Sequence, residues 1–211
     1  MADKKYEDGM LGKLLELDKK ISLSLSLSAS KTSPLGNYRP HMKALEYSCH
    51  GVFWISGSII LLWLTEDPIK DAFFFNIILA LLLDVLFVAV LKALLRRRRP
   101  ENNESEDMFM TLSVDKMSCP SGHTSRAVLV TYLLIWCTPQ KYVLHLFLLV
   151  WCICTCSSRI LLGRHHVGDV LIGAVLGYVE YCIMNYLWAG PENAKWYLDL
   201  FRDSSSIVED L

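Results

Sequence analysis

The sequence predicts an all-α membrane protein: a polytopic helical bundle of about five spanning helices, preceded by an amphipathic helix at the membrane interface. Two observations lead to this fold class. Hydrophobic residues make up 53% of the 211 residues, and the mean hydropathy of +0.31 is high for a soluble domain of this size. Five apolar segments, most of them near the length of a membrane-spanning helix, follow residue 43.

The first 42 residues are expected to form an amphipathic segment and a linker. Apolar residues between Met10 and Ile21 recur at helical spacing opposite lysines, which predicts a helix lying flat on the membrane. The alternation of serine and leucine over residues 22–28 fits a frayed helix and a short strand equally well. No short apolar core with a small-residue cleavage site begins the chain, so we expect no removable signal peptide.

The membrane domain is expected to cover residues 43–189, and residues 190–211 to form a polar tail. Its apolar segments are residues 47–65, 72–91, 127–138, 142–158 and 170–188. The third segment reaches spanning length only if its helix begins near His123. Pro139 and Gln140 form a short turn, so the third and fourth helices should be antiparallel neighbours.

Two carboxylates, Asp84 and Glu180, lie inside apolar segments. An ionisable group in the bilayer costs at least about 2.5–3.5 kcal/mol and usually faces the bundle interior. For Asp84, a structural hydrogen bond and a role supporting the site are equally open; for Glu180, we expect a structural or interfacial role. Gly173 and Gly177 have the spacing that allows another helix of the chain to approach closely.

The cysteines and arginines have ordinary explanations. The seven cysteines are odd in number and lie mostly in apolar runs, which argues against a disulfide framework. Cys152, Cys154 and Cys156 point in different directions on a helix, so we expect packing rather than zinc binding. The four arginines at 96–99 flank a membrane helix, a position that needs no nucleic-acid partner to explain it.

Three polar clusters fall at helix ends on one side of the membrane. Lys92 and Arg99 are seven residues apart and followed by Pro100, so on one helix both charges would converge on one anion. The sequence Pro-Ser-Gly-His, ending at His123, opens the next helix. Its backbone N–H groups and the hydroxyl of Ser121 would form an anion site at the positive end of the helix dipole.

The third cluster combines Ser158 and Arg159 with His165 and Asp169. His165 and Asp169 are four residues apart, one turn of a helix. The carboxylate can therefore accept the ring N–H of the histidine and leave its other nitrogen free to attack. His166 would face about 100° away on a helix, and we interpret it as a bystander.

In order and spacing, these clusters resemble the signature of the type 2 phosphatidic acid phosphatase superfamily without departure: Lys-x6-Arg-Pro, Pro-Ser-Gly-His and Ser-Arg-x5-His-x3-Asp. The motifs cover residues 92–169, and the helix layout about 44–188. Within the superfamily, the residues at 92–100, 111–116 and 162–165 are similar to those of polyisoprenoid diphosphate phosphatases, also described as presqualene diphosphate phosphatases.

The resemblance implies that His165 attacks phosphorus to form a phosphohistidine while Asp169 holds its tautomer. It implies that His123 protonates the leaving oxygen and later activates water. The implied phosphoryl-binding residues are Lys92, Arg99, Pro100, Ser121, Gly122 and Arg159. No magnesium-binding carboxylate cluster accompanies the motifs, so neither a metal nor a cofactor is expected. Asp107 and Asp115 are interpreted as solvated loop charges.

We therefore expect a metal-independent phosphohydrolase acting on membrane lipid phosphates, above all polyisoprenoid diphosphates such as presqualene, farnesyl and geranylgeranyl diphosphate. The alternatives are a broad phosphatidate or sphingoid-phosphate phosphatase, a sugar-phosphate phosphatase, or a catalytically silent scaffold of the same fold. The expected partners are the lipid substrate and the bilayer, without nucleic acid, and the oligomeric state is left open.

The expected location is the endoplasmic reticulum and nuclear envelope. Two spanning helices separate Lys43 from the arginines, so the N-terminus and the site should share one face. Clustered lysines and arginines put that face in the cytoplasm. If residues 10–28 span the membrane instead of lying flat, the N-terminus moves to the other side.

Overall fold

A computed structural model describes residues 9–101, 103 and 117–209, with side chains to residue 200. Asp107, Asp115 and the motif at 111–116 lie outside the described residues. The elements are eight α-helices and one 3-10 turn at Gly36–Tyr38: α1 Met10–Leu25, α2 Arg39–Ser48, α3 Gly51–Leu64, α4 Pro68–Leu95, α5 Gly122–Cys137, α6 Tyr142–Leu161, α7 Val167–Leu187 and α8 Pro191–Glu209. The predicted all-α bundle is confirmed.

Helices α4, α6 and α7 are each long and apolar enough to cross a membrane. Helices α2 and α3, bent by 44° at a short break, make a fourth span if they are counted together. Helix α5 has 16 residues, about 24 Å at 1.5 Å per residue, shorter than the roughly 30 Å hydrocarbon core. The expected five spans are therefore reached only if the short α3 and α5 helices both count.

Helix boundaries follow local chemistry. Asp67 caps α4, its side chain accepting from the Ile69 backbone N–H at 3.0 Å. Helix α4 ends where Arg96 adopts a left-handed conformation, with φ of 49°. Ser121 caps α5, which begins at Gly122. The expectation that the third apolar segment starts its helix near His123 is therefore confirmed.

Helix α5 lies at the centre, in contact with α4, α6 and α7. A Cβ atom on Gly173 would lie 2.7 Å from the Ser121 carbonyl oxygen, and one on Gly177 would overlap the carbonyl of Ser125. The two glycines thus let α7 pack directly on the backbone of α5, which confirms their expected role inside the chain. The buried apolar core between α4, α5 and α7 consists of Ile77, Ala80, Leu81, Leu129, Val130, Leu133 and Met184.

Both membrane carboxylates face this interior and are fully buried. Asp84 on α4 lies 2.7 Å from Arg126 Nη2 on α5. Glu180 on α7 accepts a hydrogen bond of 3.0 Å from Ser125 Oγ. Each carboxylate thus ties its own helix to α5, and Glu180 has the structural role expected of it.

The two ends of the chain are more structured than the sequence suggested. Helix α1 continues to Leu25, so the first Ser-Leu repeats are helical, and α1 packs against α6 and α7. Helix α2 begins at Arg39 and crosses the expected boundary at residue 43. The expected polar tail is the helix α8, which packs on α4 with Ala194 fully buried.

Candidate active site

The residues of the first motif lie on both sides of the end of α4. Lys92 lies buried in the last turn of α4, and the chain then leaves the helix at Arg96. Residues 96–100, here called the arginine segment, are not helical. Arg99 therefore does not share a helix face with Lys92 as expected. Both cations nevertheless act on one group, since each lowers the pKa of His165.

The arginine segment contacts the residues that lead into the second motif. Arg98 forms an isolated antiparallel bridge with Met117, and the Ser118 N–H donates to the Arg97 carbonyl at 2.8 Å. The chain then passes through a cis Cys119-Pro120 peptide into Ser121. The Ser121 N–H donates to the Asp169 carbonyl at 3.1 Å, which joins the second motif to the third.

Ser121 and His123 occupy the first turn of α5. Ser121 Oγ is buried and accepts from the Thr124 N–H at 3.4 Å and the Thr124 hydroxyl at 3.0 Å, so its own proton can still be donated. The buried His123 Nε2 has no hydrogen-bond partner among the described residues. The His123 carbonyl accepts from the thiol of Cys49 at 3.1 Å. The second motif thus presents one hydroxyl and one unsatisfied imidazole nitrogen.

Arg159, in the last turn of α6, is fully buried. None of its three guanidinium nitrogens has a hydrogen-bond partner within the described part of the chain. Glu46 of α2 is its counter-ion, with Oε1 at 3.3 Å from Nη2, and Glu46 also lies 3.7 Å from Arg164. Glu46 was not identified from the sequence, where it is one of several acidic residues outside the motifs. An unsatisfied buried guanidinium is suited to binding an oxyanion.

His165 lies in the turn between α6 and α7 and is 2% exposed. Its Nδ1 lies 2.7 Å from the Ser118 carbonyl oxygen, an atom that can only accept. Nδ1 therefore carries the proton, and the lone pair is on Nε2. The expected hydrogen bond to Asp169 is not formed, because Oδ2 lies 4.0 Å from Nδ1.

Asp169 bonds to the residues around His165 instead. Its Oδ2 accepts from the His166 N–H at 2.8 Å, from His166 Nδ1 at 3.1 Å and from the Ser118 hydroxyl. Its Oδ1 accepts from Arg97 Nη1 at 2.7 Å. The interpretation of His166 as a bystander was wrong. Ser118 contacts both Asp169 and His165, and so links the carboxylate to the imidazole.

Burial and charge both favour the neutral form of His165. Burial is the larger cause that holds the pKa of His165 well below its usual value. The nearby positive charges act in the same direction; they are Arg99, Arg159 and Lys92. The imidazole is therefore unprotonated at neutral pH, the state that a nucleophile requires.

Two neighbouring groups are held in their usual charge states. Burial alone would lower the pKa of Arg97, but the carboxylates of Asp169 and Asp18 outweigh burial and raise it. Burial and the nearby Asp169 raise the pKa of Cys119 to about 12. The Cys119 thiol is therefore protonated at neutral pH and is a poor nucleophile.

Helix α1 also contributes to the site, which no sequence pattern indicated. Asp18 Oδ1 accepts from the Gly168 N–H at 2.9 Å, and Oδ2 lies 2.6 Å from Arg97 Nη2. Ser22 Oγ accepts from the Val167 N–H at 2.9 Å. Asp18 and Ser22 thus satisfy two of the N–H groups left open at the start of α7. Asp18 and Ser22 are four residues apart on an amphipathic helix, a spacing too common to identify a docking contact.

No three His, Cys, Asp or Glu side chains come together as a possible metal site in the ranges that the structure describes. The cations Lys92, Arg99 and Arg159 act on His165, and Lys92 and Arg159 also act on His123. Ser121 is joined to the third motif by the bond from its N–H to the Asp169 carbonyl. Cations and hydrogen-bond donors of this kind are suited to a phosphoryl group. Gly122 follows the cap of α5, at a helix start where backbone N–H groups lack partners within the helix, and Pro100 ends the arginine segment.

Comparisons with known proteins agree with this geometry. The model of the PAP2 superfamily matches residues 73–190. An Arabidopsis thaliana protein described as probable lipid phosphate phosphatase beta is 31% identical over 195 residues, covering 81% of this chain and 88% of the relative. The crystal structure of Aquifex aeolicus LpxE has a TM-score of 0.57, covers 86% of this chain and 98% of LpxE, and at 23% identity shows a shared fold.

Proposed function

The chain belongs to the PAP2 superfamily, and from that membership we propose that it removes phosphate from lipid phosphates by attack of His165 on phosphorus. The observation that carries the proposal is the state of His165: a neutral ring with its proton on Nδ1 and its lone pair on Nε2, surrounded by cations. Similarity to a probable lipid phosphate phosphatase supports a lipid substrate.

In the proposed first step, His165 Nε2 forms a bond to phosphorus as the bond to the leaving oxygen breaks. His123 donates a proton to that oxygen. The negative charge of the bound phosphoryl group favours the protonated form of His123 before this transfer. Arg159, with its unsatisfied guanidinium, stabilises the charge on the phosphoryl oxygens. The other groups proposed for this role are Lys92, Arg99, Ser121 and the Gly122 N–H.

In the second step, a water molecule attacks the phosphohistidine. His123 accepts the water proton, phosphate is released, and His165 returns to its neutral form. The Ser118 carbonyl keeps Nδ1 protonated throughout, so Nε2 is the nitrogen that bonds to phosphorus. Asp169 keeps Ser118 in place, which is how we expect it to position the nucleophile.

For the substrate we propose polyisoprenoid diphosphates, such as presqualene, farnesyl or geranylgeranyl diphosphate. The support is the resemblance of the motif residues to polyisoprenoid diphosphate phosphatases, together with a cation-rich segment beside the site. The alternative is a broad phosphatase for phosphatidate and sphingoid phosphates, which the name of the Arabidopsis relative favours. In both cases the hydrocarbon tail lies in the bilayer.

We further propose that the protein resides in the endoplasmic reticulum and nuclear envelope, with the site facing the cytoplasm. Lysines and arginines concentrate in α1 and the arginine segment, which lie together at the end of the bundle that holds the site. Protease protection of tags at both termini, in sealed microsomes, tests this orientation. Protection of an N-terminal tag would contradict it.

The test of the function is phosphate release by purified protein from isoprenoid diphosphates, phosphatidate and sphingosine phosphate. We expect turnover by the wild type, with farnesyl diphosphate preferred over phosphatidate, and loss of nearly all turnover in His165→Ala. The matched control is His145→Ala, since His145 lies near the other end of α6 and contacts Thr138. Trapped phosphohistidine should be present in the control and absent from His165→Ala; full turnover in His165→Ala would refute the mechanism.

A further inference from the structure

A basic pocket lies beside the proposed catalytic centre, between α1 and the arginine segment. Its volume is about 310 Å³. The lining residues are Lys19, Leu23, Arg97, Arg98, Arg99, Pro100, Glu101 and His166. Arg99 and Pro100 belong to the first motif, and His166 is adjacent to His165, so the pocket lies next to the site. Four cations and one carboxylate line it, which suits a second anionic group.

The cations of the pocket differ in what they already bind. Arg97 is 2.6 Å from Asp18 and 2.7 Å from Asp169, so two carboxylates offset its charge. Its contacts assign Arg97 to holding the polypeptide together and not to binding a second anionic group. Lys19 lines the pocket from α1, and Arg98 lines it from the arginine segment.

Helix α1 is held so that Lys19 stays at the pocket. Asp18, the residue before Lys19, bonds to Arg97 and to the Gly168 N–H, and Ser22 bonds to the Val167 N–H. These contacts dock one face of α1 against the first turn of α7. Ordering a lysine against an anion costs conformational entropy, which offsets much of the charge interaction. Because α1 is already docked, less of that entropy is lost when Lys19 binds an anion.

We propose that this pocket binds the phosphoryl group of a diphosphate substrate that is not attacked, and that Lys19 and Arg98 determine preference for a diphosphate over a monophosphate. His165 attacks the terminal phosphorus, and the phosphoryl group attached to the hydrocarbon chain lies in the pocket. Leu23 supplies an apolar wall where that chain begins. The inference rests on the proposed function, and it makes α1 part of the binding site.

The catalytic test compares kcat/KM for farnesyl diphosphate and farnesyl monophosphate in detergent micelles without anionic lipid. We expect Lys19→Gln and Arg98→Gln each to lower the ratio of the two values roughly tenfold, the size of a lost charge-assisted hydrogen bond. The matched controls are Lys20→Gln and Arg96→Gln, which change exposed neighbours outside the pocket. They should keep the wild-type ratio.

A binding test separates this inference from the proposed function. Inorganic pyrophosphate and inorganic phosphate are titrated into His165→Ala protein, with and without Lys19→Gln, and the dissociation constants are measured calorimetrically. We expect tighter binding of pyrophosphate, and loss of that preference with Lys19→Gln. An unchanged preference, or an equal loss for both anions, overturns the subsite. If the preference is lost as expected but the wild type hydrolyses no lipid phosphate, the subsite stands and the proposed function fails.

Anchoring of Lys19 and Arg98 to lipid headgroups is the competing explanation. Repeating the kinetic comparison in vesicles with and without phosphatidylserine distinguishes the two. Headgroup anchoring predicts that Lys19→Gln changes the ratio only where the anionic lipid is present, and this result would overturn the subsite. The proposal requires the same tenfold change in both types of vesicle and in micelles.

Discussion

Replacing Asp84 with alanine should destabilise the bundle by about 3–5 kcal/mol, the usual cost of removing one partner of a buried ion pair. Asp84 is fully buried on α4, and its Oδ2 lies 2.7 Å from Nη2 of Arg126, which is 10% exposed. Without the Asp84 carboxylate, the described hydrogen-bond partner left to the guanidinium of Arg126 is the Cys49 carbonyl at 3.2 Å, and Glu180 is the carboxylate that still acts on it. The cost therefore arises from the loss of the direct ion pair to a buried charge rather than from the cavity alone.

A double replacement separates these causes. In Asp84→Leu/Arg126→Met, both charges are gone and the volume is largely kept, and such replacements of buried pairs are often neutral or stabilising. We expect the double variant to recover most of the stability lost in Asp84→Ala. The surface control is Lys70→Ala, which removes a 3.6 Å contact to Asp67 between half-exposed side chains. It should cost less than about 1 kcal/mol.

The assay is reversible unfolding in mixed micelles by increasing mole fraction of a denaturing detergent, followed by tryptophan fluorescence. The midpoint and slope give the free energy of unfolding for each variant. A loss of less than 1 kcal/mol in Asp84→Ala, or a double variant no more stable than Asp84→Ala, would refute the reasoning. Either result would mean that water or another residue compensates Arg126.

Three further predictions concern packing, pH and metal dependence. Gly177→Ala should cost about 1–3 kcal/mol in the same assay, because the new methyl group overlaps the Ser125 carbonyl, whereas Gly57→Ala, which faces open space, should not destabilise. Since the pKa of His165 is lower in the folded protein than its usual value of about 6.5, the unfolded chain binds the extra proton between the two values. Melting temperature should therefore rise with pH up to about 6.5, and less steeply in His165→Gln; equal slopes would contradict this. Turnover should persist in excess chelator, and an absolute magnesium requirement would contradict this expectation. Vanadate, which mimics the transferring phosphoryl group, should inhibit turnover.

The fold could be predicted from the sequence because apolar runs and helix-start residues each act within one segment of the chain. Apolar runs mark helices that face lipid, and the Pro-Ser-Gly-His sequence marks the start of α5, which Ser121 caps. Motif order also predicted which residues the fold would gather, and the cations Lys92, Arg99 and Arg159 do act on one histidine. These residues could be assigned to one site without knowing where each helix begins or ends.

Contacts between distant segments could not be predicted from the same signals. Glu46 is one of many acidic residues in the sequence, and only the packing of α2 on α6 makes it the counter-ion of Arg159. Asp18 belongs to a helix whose amphipathic pattern predicts membrane contact but not its docking on α7. In both cases the information lies in tertiary packing, which a periodicity read from one segment does not contain.

Asp169 bonds to His166 and not, as expected, to His165, and this difference has a more specific cause. The rule that residues four apart face each other holds only inside a helix, and α7 begins at Val167. His166 is the residue that caps α7, and Asp169 is the third helical residue, the position from which a carboxylate reaches back to the cap. Asp169 is therefore committed to His166, and the turn leaves Nδ1 of His165 facing the Ser118 carbonyl. A carboxylate that bonds to Ser118, rather than to the imidazole, fixes the position of His165 without an ion pair that would raise the pKa of its ring.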